Sequence, residues 1–263
     1  MELTVNGRKA YVYTGGKPFD AALPTVVFCH GAQCDHSVWI LQSRYLAHHG
    51  YGVLALDLPG HGRSAGPALG RIEDLADWIP AVLDAAGVKQ ASVVGHSMGS
   101  LIALECAARH PARMAKIALL ALAYPMKVSA ELLEATKNDE PAAQDMVNIW
   151  SHLAYAQYPN NPGPGFWVIG ENLRLMQRQK PGVMHVDFVA CNAYGGGAEA
   201  AAKVQCPALF LIARRDAMTP ARSAQAFAQS VKGARVVMIE GSGHNMMGEK
   251  PDEVLDALVA FLK

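Results

Sequence analysis

Short apolar runs recur along the chain and alternate with longer stretches of helical periodicity. Uninterrupted apolar runs of about five residues are typical of strands buried on both faces of a parallel sheet. The runs lie at residues 25–29, 53–56, 91–94, 116–121, 208–212 and 235–239, and helical patterns lie at 39–49, 72–86, 101–109, 221–230 and 251–262. Because strands and helices alternate, the pattern predicts right-handed βαβ units on a mostly parallel sheet.

The first residues follow a different pattern. Residues 4–6 and 8–13 read as two short strands joined at Gly7. Closely spaced strands with a glycine turn predict an antiparallel hairpin, here at an edge of the sheet.

A long central stretch also departs from the alternation. Residues 124–200 contain helical patterns but no clear strand pattern. We therefore predict a helical insertion that divides the core into residues 1–123 and residues 201–263. Gly163, Gly165 and Gly195 to Gly197 are candidate hinges of this insertion.

The composition is that of an ordinary globular protein and disfavours two classes of partner. Hydrophobic residues make up 51% of the chain, enough for a large core, and 23 basic residues balance 23 acidic ones. Without runs of like charge, we expect neither a nucleic-acid nor a membrane partner. The start, Met1 to Thr4, lacks a leader pattern, and the longest apolar run, Ile117 to Met126, is shorter than the ~20 residues that span a bilayer. We expect a cytoplasmic protein that acts on a small molecule.

Cysteine usage agrees with that expectation. The five cysteines have no metal-ligand spacing, so we expect reduced residues and no metal site.

The most informative motif is Gly95-His96-Ser97-Met98-Gly99, which follows the run at 91–94 and precedes a helical pattern. A serine on a sharp turn between a strand and a helix crowds its neighbours, so small residues are needed on both sides. The turn also places Ser97 at a helix N-terminus, where free amides can stabilise an oxyanion. The motif predicts a nucleophilic serine, although a Gly/Ser turn without chemical consequence has the same pattern.

A nucleophilic serine needs a base, and the base needs an orienting acid. His244 follows the last predicted strand between Gly243 and Asn245, and Asp216 follows the strand before it. Both therefore lie where the carboxyl ends of the strands meet. An ion pair between Asp216 and Arg214 or Arg215 is the alternative interpretation of this aspartate.

The loops after the first two core strands suggest supporting roles. We predict that the backbone amides of Ala32 and Met98 form an oxyanion hole, with Gln33 as the alternative to Ala32. Asp57 and His61 precede the serine, so we interpret them as a pair that braces their loop.

These motifs together resemble the α/β-hydrolase superfamily across nearly the whole chain. The resemblance rests on His30-Gly31, the stretch Asp57 to Ser64, Gly95 to Gly99, Asp216 and Gly243-His244. It implies an α/β-hydrolase fold with a mostly parallel eight-stranded sheet, flanking helices and a helical lid at 124–200, inserted after the sixth strand. The serine is similar to that of the esterase, lipase, carbon–carbon hydrolase and cofactor-free haloperoxidase branches.

The expected activity is cleavage of a small, largely apolar ester through an acyl-enzyme, with no cofactor. Carbon–carbon, lactone or thioester hydrolysis and peracid formation could use the same residues. A small-molecule receptor with little turnover is a further alternative. Apolar and aromatic side chains near the motifs are candidates for the substrate pocket; with Gln33, they are Trp39, Met218, Met246, Trp150 and Trp167, and Phe166 is a further lid aromatic.

Overall fold

The computed structural model describes residues 1–157 and 167–263. Its strands are β1 (Glu2–Val5), β2 (Arg8–Tyr13), β3 (Thr25–Cys29), β4 (Gly52–Leu56), β5 (Ala91–His96), β6 (Met114–Leu120), β7 (Ala208–Ala213) and β8 (Arg235–Ile239). Its α-helices are α1 (Ile40–His48), α2 (Ile72–Ala85), α3 (Met98–Arg109), α4 (Ala130–Asn138), α5 (Glu140–Ser151), α6 (Val168–Gln177), α7 (Val183–Ala193), α8 (Gly197–Lys203), α9 (Ala221–Ala228), α10 (Met246–Glu249) and α11 (Pro251–Leu262). The predicted hinges Gly163 and Gly165, and Phe166, lie outside the described residues.

The described strands form one eight-stranded sheet in the order β1-β2-β4-β3-β5-β6-β7-β8. β1 and β2 form an antiparallel pair, β2 is antiparallel to β4, and the remaining neighbours are parallel. The predicted edge hairpin and the mostly parallel eight-stranded sheet are confirmed. The carboxyl ends of β3 to β8 consequently share one edge.

Apolar layers cover both faces of the sheet, which explains the uninterrupted apolar runs. Along β3, Val27 and Cys29 belong to a cluster with residues of α2, α3 and α9. Val26 and Phe28 point the other way, into a cluster with residues of α1 and α11. Because successive side chains of a strand alternate, both halves of the run are buried.

Among the described residues between β6 and β7 there are five α-helices, α4 to α8. Four of them enclose a third apolar cluster, against which Ala32 and Met218 of the core pack. The buried members of this cluster are Leu132, Ala143, Val147, Met176, Met184 and Phe188. The helical segment is thus packed around its own small core and against two loops at the carboxyl edge of the sheet.

Local features account for where two of these helices begin. α5 begins at Glu140, because the Asp139 side chain accepts the N–H of Ala142 and Pro141 occupies the first turn. α8 begins at Gly197, within the glycine run that closes the predicted insertion. A Cβ there would collide with the ring of Tyr124, so packing accounts for this glycine.

Among the described residues, no helix combines the length and the apolar character that a membrane crossing requires.

Candidate active site

Ser97 occupies the turn between β5 and α3 in a backbone conformation that is rare for residues with a side chain. Its φ of 53° and ψ of −117° are held by a 2.9 Å hydrogen bond from its N–H to Leu120 O. Such strain is tolerated where surrounding structure fixes it, and it is concentrated at functional positions. The side chain of Ser97 is half-buried, while its chain neighbours are buried.

The two glycines of the motif are required by close backbone contacts. A Cβ on Gly95 would meet the carbonyl group of Gly99, and a Cβ on Gly99 would meet the carbonyl groups of Cys29 and His30. The turn is therefore clamped between its own helix and the end of β3.

We expect Gly99→Ala to lower the free energy of unfolding by about 1–3 kcal/mol, because the added methyl group would lie about 2.7 Å from His30 O. Urea unfolding followed by circular dichroism measures this loss. Gly195→Ala is the control, because a Cβ there meets nothing within 4 Å. Equal stability of the two variants would contradict the close packing of the turn.

Asp216 and His244 are joined at the same edge. Nδ1 of His244 lies 2.8 Å from Asp216 Oδ2, and both side chains are buried. The Asp216 carboxylate also accepts the N–H groups of Met218 and Thr219 and the Thr219 hydroxyl. Arg214 pairs with Glu240 instead, so the alternative ion pair with Arg214 is not formed.

The charge of Asp216 is stabilised despite its burial. Burial alone would raise the pKa of this carboxyl group, but the charge of His244 and the hydrogen bonds from His244 and Thr219 outweigh it and lower the pKa. An ionised Asp216 accepts a proton only weakly and instead fixes the orientation of the imidazole. When the His244 ring is neutral, its Nδ1–H donates to Asp216 and the lone pair is on Nε2.

Two neighbours fix the loop that carries His244. His96 Nε2 donates to His244 O at 2.9 Å, and burial followed by the neighbouring His244 lowers the pKa of His96 to about 3, so His96 is neutral. The Glu249 carboxylate accepts the N–H of Gly243 at 2.7 Å and that of Leu153 at 2.8 Å. Glu249 therefore links the His244 loop to the helical segment.

The loop after β3 lies against Ser97. A Cβ on Gly31 would be only 3.3 Å from the Cβ of Ser97. The carbonyl oxygen of Gly31 accepts the N–H of Cys34 and lies 2.8 Å from Nδ1 of His30. In a trans peptide the N–H lies opposite the C=O, so the Ala32 N–H points away from those two partners.

The second peptide of this loop has a different partner. Gln33 N–H donates to Asp187 Oδ2 at 2.8 Å, so the alternative oxyanion donor is already engaged. Met98 is the first residue of α3, where N–H groups have no acceptor within the helix. The backbone amides of Ala32 and Met98 therefore remain the candidate donors of the oxyanion hole.

In the part of the chain that the structure describes, Ser97 and His244 both line a small cavity and a larger one. The small cavity, about 40 Å³, is lined by Gly31, Ala32, Cys34, Val38, His96, Ser97, Val147, Ser151, Asn172, Met176, Phe188, Met218, His244, Asn245 and Met247. The large cavity, about 370 Å³, is lined by Ala32, Ser97, Met126, Lys127, Val128, Ser129, Leu132, Trp150, Phe188, Cys191, Ala217, Met218, Thr219 and His244. Both combine side chains of the core with side chains of the helical segment.

The predicted pocket residues divide into three groups. Met218 lines both cavities, and Trp150 lines the large one. Trp39 and Met246 were also expected in the pocket, but both are fully buried in the apolar cluster between the sheet and helices α1 and α11. Neither lines the small or the large cavity, and Trp39 packs against Phe28 with ring centroids 5.0 Å apart.

The other two candidates point elsewhere. The Gln33 side chain donates to Glu140 and to Met176 O, so it ties the loop to α5 and α6. Trp167 precedes α6 and is 65% exposed. Neither residue lines the small or the large cavity.

Asp57 and His61 do not bond to each other, contrary to expectation. Asp57 accepts both the N–H and Nδ1 of His36 and the N–H of Arg63. His61 reaches across to Asp187 in α7. Asp57 therefore links its loop to His36, whereas His61 links the same loop to α7.

One group among the described residues has the composition of a metal site. Ligand atoms of Asp35, His36 and Asp57 lie within 4.8 Å of one another. Asp35 already accepts from Ser37 and Arg178. Because donors of the protein already bind the carboxylates of Asp35 and Asp57, we interpret this group as a hydrogen-bonded cluster that holds its loops together.

Three residues of this site have no counterpart in the sequence interpretation: Thr219, Glu249 and Asp187. Thr219 had a local signal, because an aspartate three residues earlier can accept N–H groups in such a turn. Glu249 and Asp187 bind backbone amides that are remote in sequence. Their positions in helices do not indicate these contacts.

The chain is similar to known proteins over nearly its whole length. A family model described as the alpha/beta hydrolase family matches residues 26–257. The bifunctional esterase/perhydrolase of Acinetobacter calcoaceticus is 26% identical over 95% of this chain and 95% of that protein. The (E)-2-((N-methylformamido)methylene)succinate hydrolase of Acinetobacter baylyi is 24% identical over 98% and 95%. The crystal structure of the enol-lactonase from Burkholderia xenovorans superposes with a TM-score of 0.87 over 100% of this chain and 99% of that one, at 23% identity. The chain belongs to the alpha/beta hydrolase family.

Proposed function

We propose that the protein is a serine hydrolase that cleaves a small, largely apolar ester through an acyl-enzyme. Ser97 is the nucleophile, His244 the base and Asp216 the orienting acid. The observation that supports this most strongly is the 2.8 Å hydrogen bond between His244 Nδ1 and Asp216, in a loop whose imidazole borders the same two cavities as Ser97.

The mechanism follows from the protonation states of these groups. Ser97 Oγ attacks the ester carbonyl carbon while His244 Nε2 takes the hydroxyl proton. The amides of Ala32 and Met98 bind the oxygen that becomes negative. Collapse of this intermediate breaks the bond to the alcohol, which receives the proton from His244. Water, deprotonated by His244, then attacks the carbonyl carbon of the acyl-enzyme. The bond between this carbon and Ser97 Oγ breaks, Oγ takes back the proton from His244, and the acid leaves.

Cavity size and lining suggest the substrate class. The large cavity, at about 370 Å³, is lined mainly by apolar side chains such as Met126, Leu132 and Phe188. Its volume lies at the lower end of the usual range for small-molecule sites, about 300–1,000 Å³. A short acyl or aryl group fits this space.

Lactone opening is the second candidate. The small cavity, at about 40 Å³, has little room for a separate alcohol, and a cyclic ester keeps its leaving alkoxide attached to the acyl group. A solved structure of an N-acyl homoserine lactone degrading enzyme, 25% identical with a TM-score of 0.84, is compatible with this candidate.

A substrate panel tests the proposal. We expect p-nitrophenyl esters with acyl chains of two to about six carbons to be hydrolysed with multiple turnovers, and longer chains to lose kcat/KM. A γ-lactone matched in carbon number distinguishes the second candidate by a higher kcat/KM than the linear ester. A single turnover with every compound would contradict both activities.

Asp216→Asn should reduce kcat by about 10⁴-fold, because the neutral amide no longer selects the tautomer with a proton on Nδ1. Steady-state hydrolysis of the best ester in the panel measures the effect. Asp77→Asn is the matched control, since Asp77 pairs with Arg109 on the surface, and its kcat should remain within about twofold. A kcat loss below tenfold in Asp216→Asn would assign Asp216 a structural role.

A further inference from the structure

A buried carboxylate in the helical segment reaches the loop that borders Ser97. Asp187 of α7 is only 1% exposed. Its Oδ2 accepts Gln33 N–H and faces His61 Nε2, each at 2.8 Å. One oxygen atom thus joins α7, the loop after β3 and the loop after β4.

His61 forms this contact as a cation. Its Nε2 faces Asp187 Oδ2, and its Nδ1 faces Pro59 O at 3.1 Å. Both acceptors can be satisfied only when both ring nitrogens carry protons. Burial opposes the charge, but Asp187 outweighs it and raises the pKa of His61.

The other titratable groups around His61 are compatible with that charge. His30 packs against it with ring centroids 4.8 Å apart, and burial lowers the pKa of His30 to about 4, so His30 is neutral. Asp57, the next acid, also favours the cation.

A buried ion pair adds little net stability relative to apolar side chains of similar size, so stability alone does not account for the pair of His61 and Asp187. Oδ1 of Asp187 is buried and has no hydrogen-bond partner among the described residues. Replacing a buried ion pair with apolar residues is often neutral or stabilising, because desolvation cancels the attraction. What Asp187 does provide is a fixed position for Gln33 N–H.

Hydrogen bonds restrain both peptides that flank Ala32, and the contact of Gln33 N–H with Asp187 is one of them. The peptide before Ala32 is held through Gly31 O, by His30 and Cys34. The peptide after it is held through Gln33 N–H, by Asp187. Gln33 has a φ of 56°, a conformation that a residue with a side chain leaves when its contacts are lost. Both peptide planes that flank Ala32 are therefore fixed, and α7 supplies one of the two restraints.

We propose that Asp187 is a positioning residue that aims the Ala32 amide at the oxyanion, so that the oxyanion hole is complete only while α7 is docked on the core. This inference rests on the function proposed above. The helical segment then does more than enclose the substrate, because it contributes to the stabilisation of the transition state.

The test compares Asp187→Ala, which removes the acceptor of Gln33 N–H, with Asn192→Ala. Asn192 lies on the same helix and its side chain accepts the N–H of Val128, so the control also removes an acceptor from α7. For Asp187→Ala we expect kcat to fall by about 10- to 100-fold, less than the ~10²–10³-fold that loss of one oxyanion donor causes. KM should change by less than about twofold. Asn192→Ala should retain both constants.

A second readout separates positioning from a merely structural role. Phenylboronic acid forms a tetrahedral adduct with an active serine and uses the same amides. Its dissociation constant should rise in Asp187→Ala by the factor by which kcat/KM falls. Unchanged boronate affinity, or a loss confined to KM, would overturn the inference and leave Asp187 as part of the pocket wall.

Folding and the underlying function are controlled separately. If Asp187→Ala does not fold, the double variant His61→Leu/Asp187→Leu replaces the ion pair with apolar side chains and also removes the acceptor of Gln33 N–H, so the same two outcomes decide. Turnover that persists in Ser97→Ala would overturn the proposed function and this inference together. Turnover that depends on Ser97 but not on Asp187 would overturn this inference alone.

Discussion

Ser97→Ala should reduce kcat by about 10⁶-fold, the cost of removing the nucleophile from another serine hydrolase. The alanine fits the strained turn, because it retains the Cβ and removes only Oγ. Circular dichroism should therefore be unchanged. Residual activity would come from the oxyanion hole and substrate binding alone. Stopped ester assays at high enzyme concentration cover the necessary range.

Ser43→Ala is the control for this substitution. Ser43 is fully buried in α1, and its hydroxyl donates to Ile40 O at 3.3 Å, away from both cavities. Its kcat should be that of the unaltered protein. Should Ser97→Ala retain more than about 1% of the activity, the nucleophile would have to be another residue.

His244→Ala should produce a loss of similar size, about 10⁶-fold in kcat, because the serine hydroxyl then has no base. The substitution also empties a space beside Ser97 that is connected to both cavities. Free imidazole can enter this space, so millimolar imidazole should restore part of the activity. The rescue should increase with pH as the neutral form of imidazole accumulates.

His185→Ala provides the matched control. His185 belongs to α7 and its ring contacts the Thr136 hydroxyl at 2.9 Å. It should lose no more than about twofold in kcat and should not respond to imidazole. Equal losses in the two variants, or a loss in His244→Ala that imidazole leaves unchanged, would argue against a proton-transfer role for His244.

The fold was predictable because its determinants are local. Apolar runs such as 25–29 and 208–212 identify buried strands from a few consecutive residues, and the sheet follows from their alternation with helices. The same reasoning brought Asp216 and His244 to one edge of the sheet. In the structure, their side chains are 2.8 Å apart.

The contacts that complete the site were not predictable, because they join residues that are remote in sequence. Asp187 and Gln33 are 154 positions apart, and Glu249 and Leu153 are 96 apart. Hydrophobic periodicity identifies the helix that carries Asp187 but not the loop on which it docks. These contacts depend on how the helical segment packs on the sheet.

Proximity in sequence was also a poor guide to the pocket. Trp39 lies a few residues after the loop that borders Ser97, yet it is fully buried beneath the sheet, whereas Met218 lines both cavities. The sequence does not distinguish apolar residues of the core from those that line a cavity, because both environments favour the same residue types.

Covalent labelling tests the nucleophilic role of Ser97 without a known substrate, because an activated serine at this turn should react with a fluorophosphonate and ordinary serines should not. We predict one adduct per chain, located by peptide mass at Ser97, and no adduct in His244→Ala over the same period. An adduct on another residue, or no adduct on a protein that hydrolyses esters, would contradict this role.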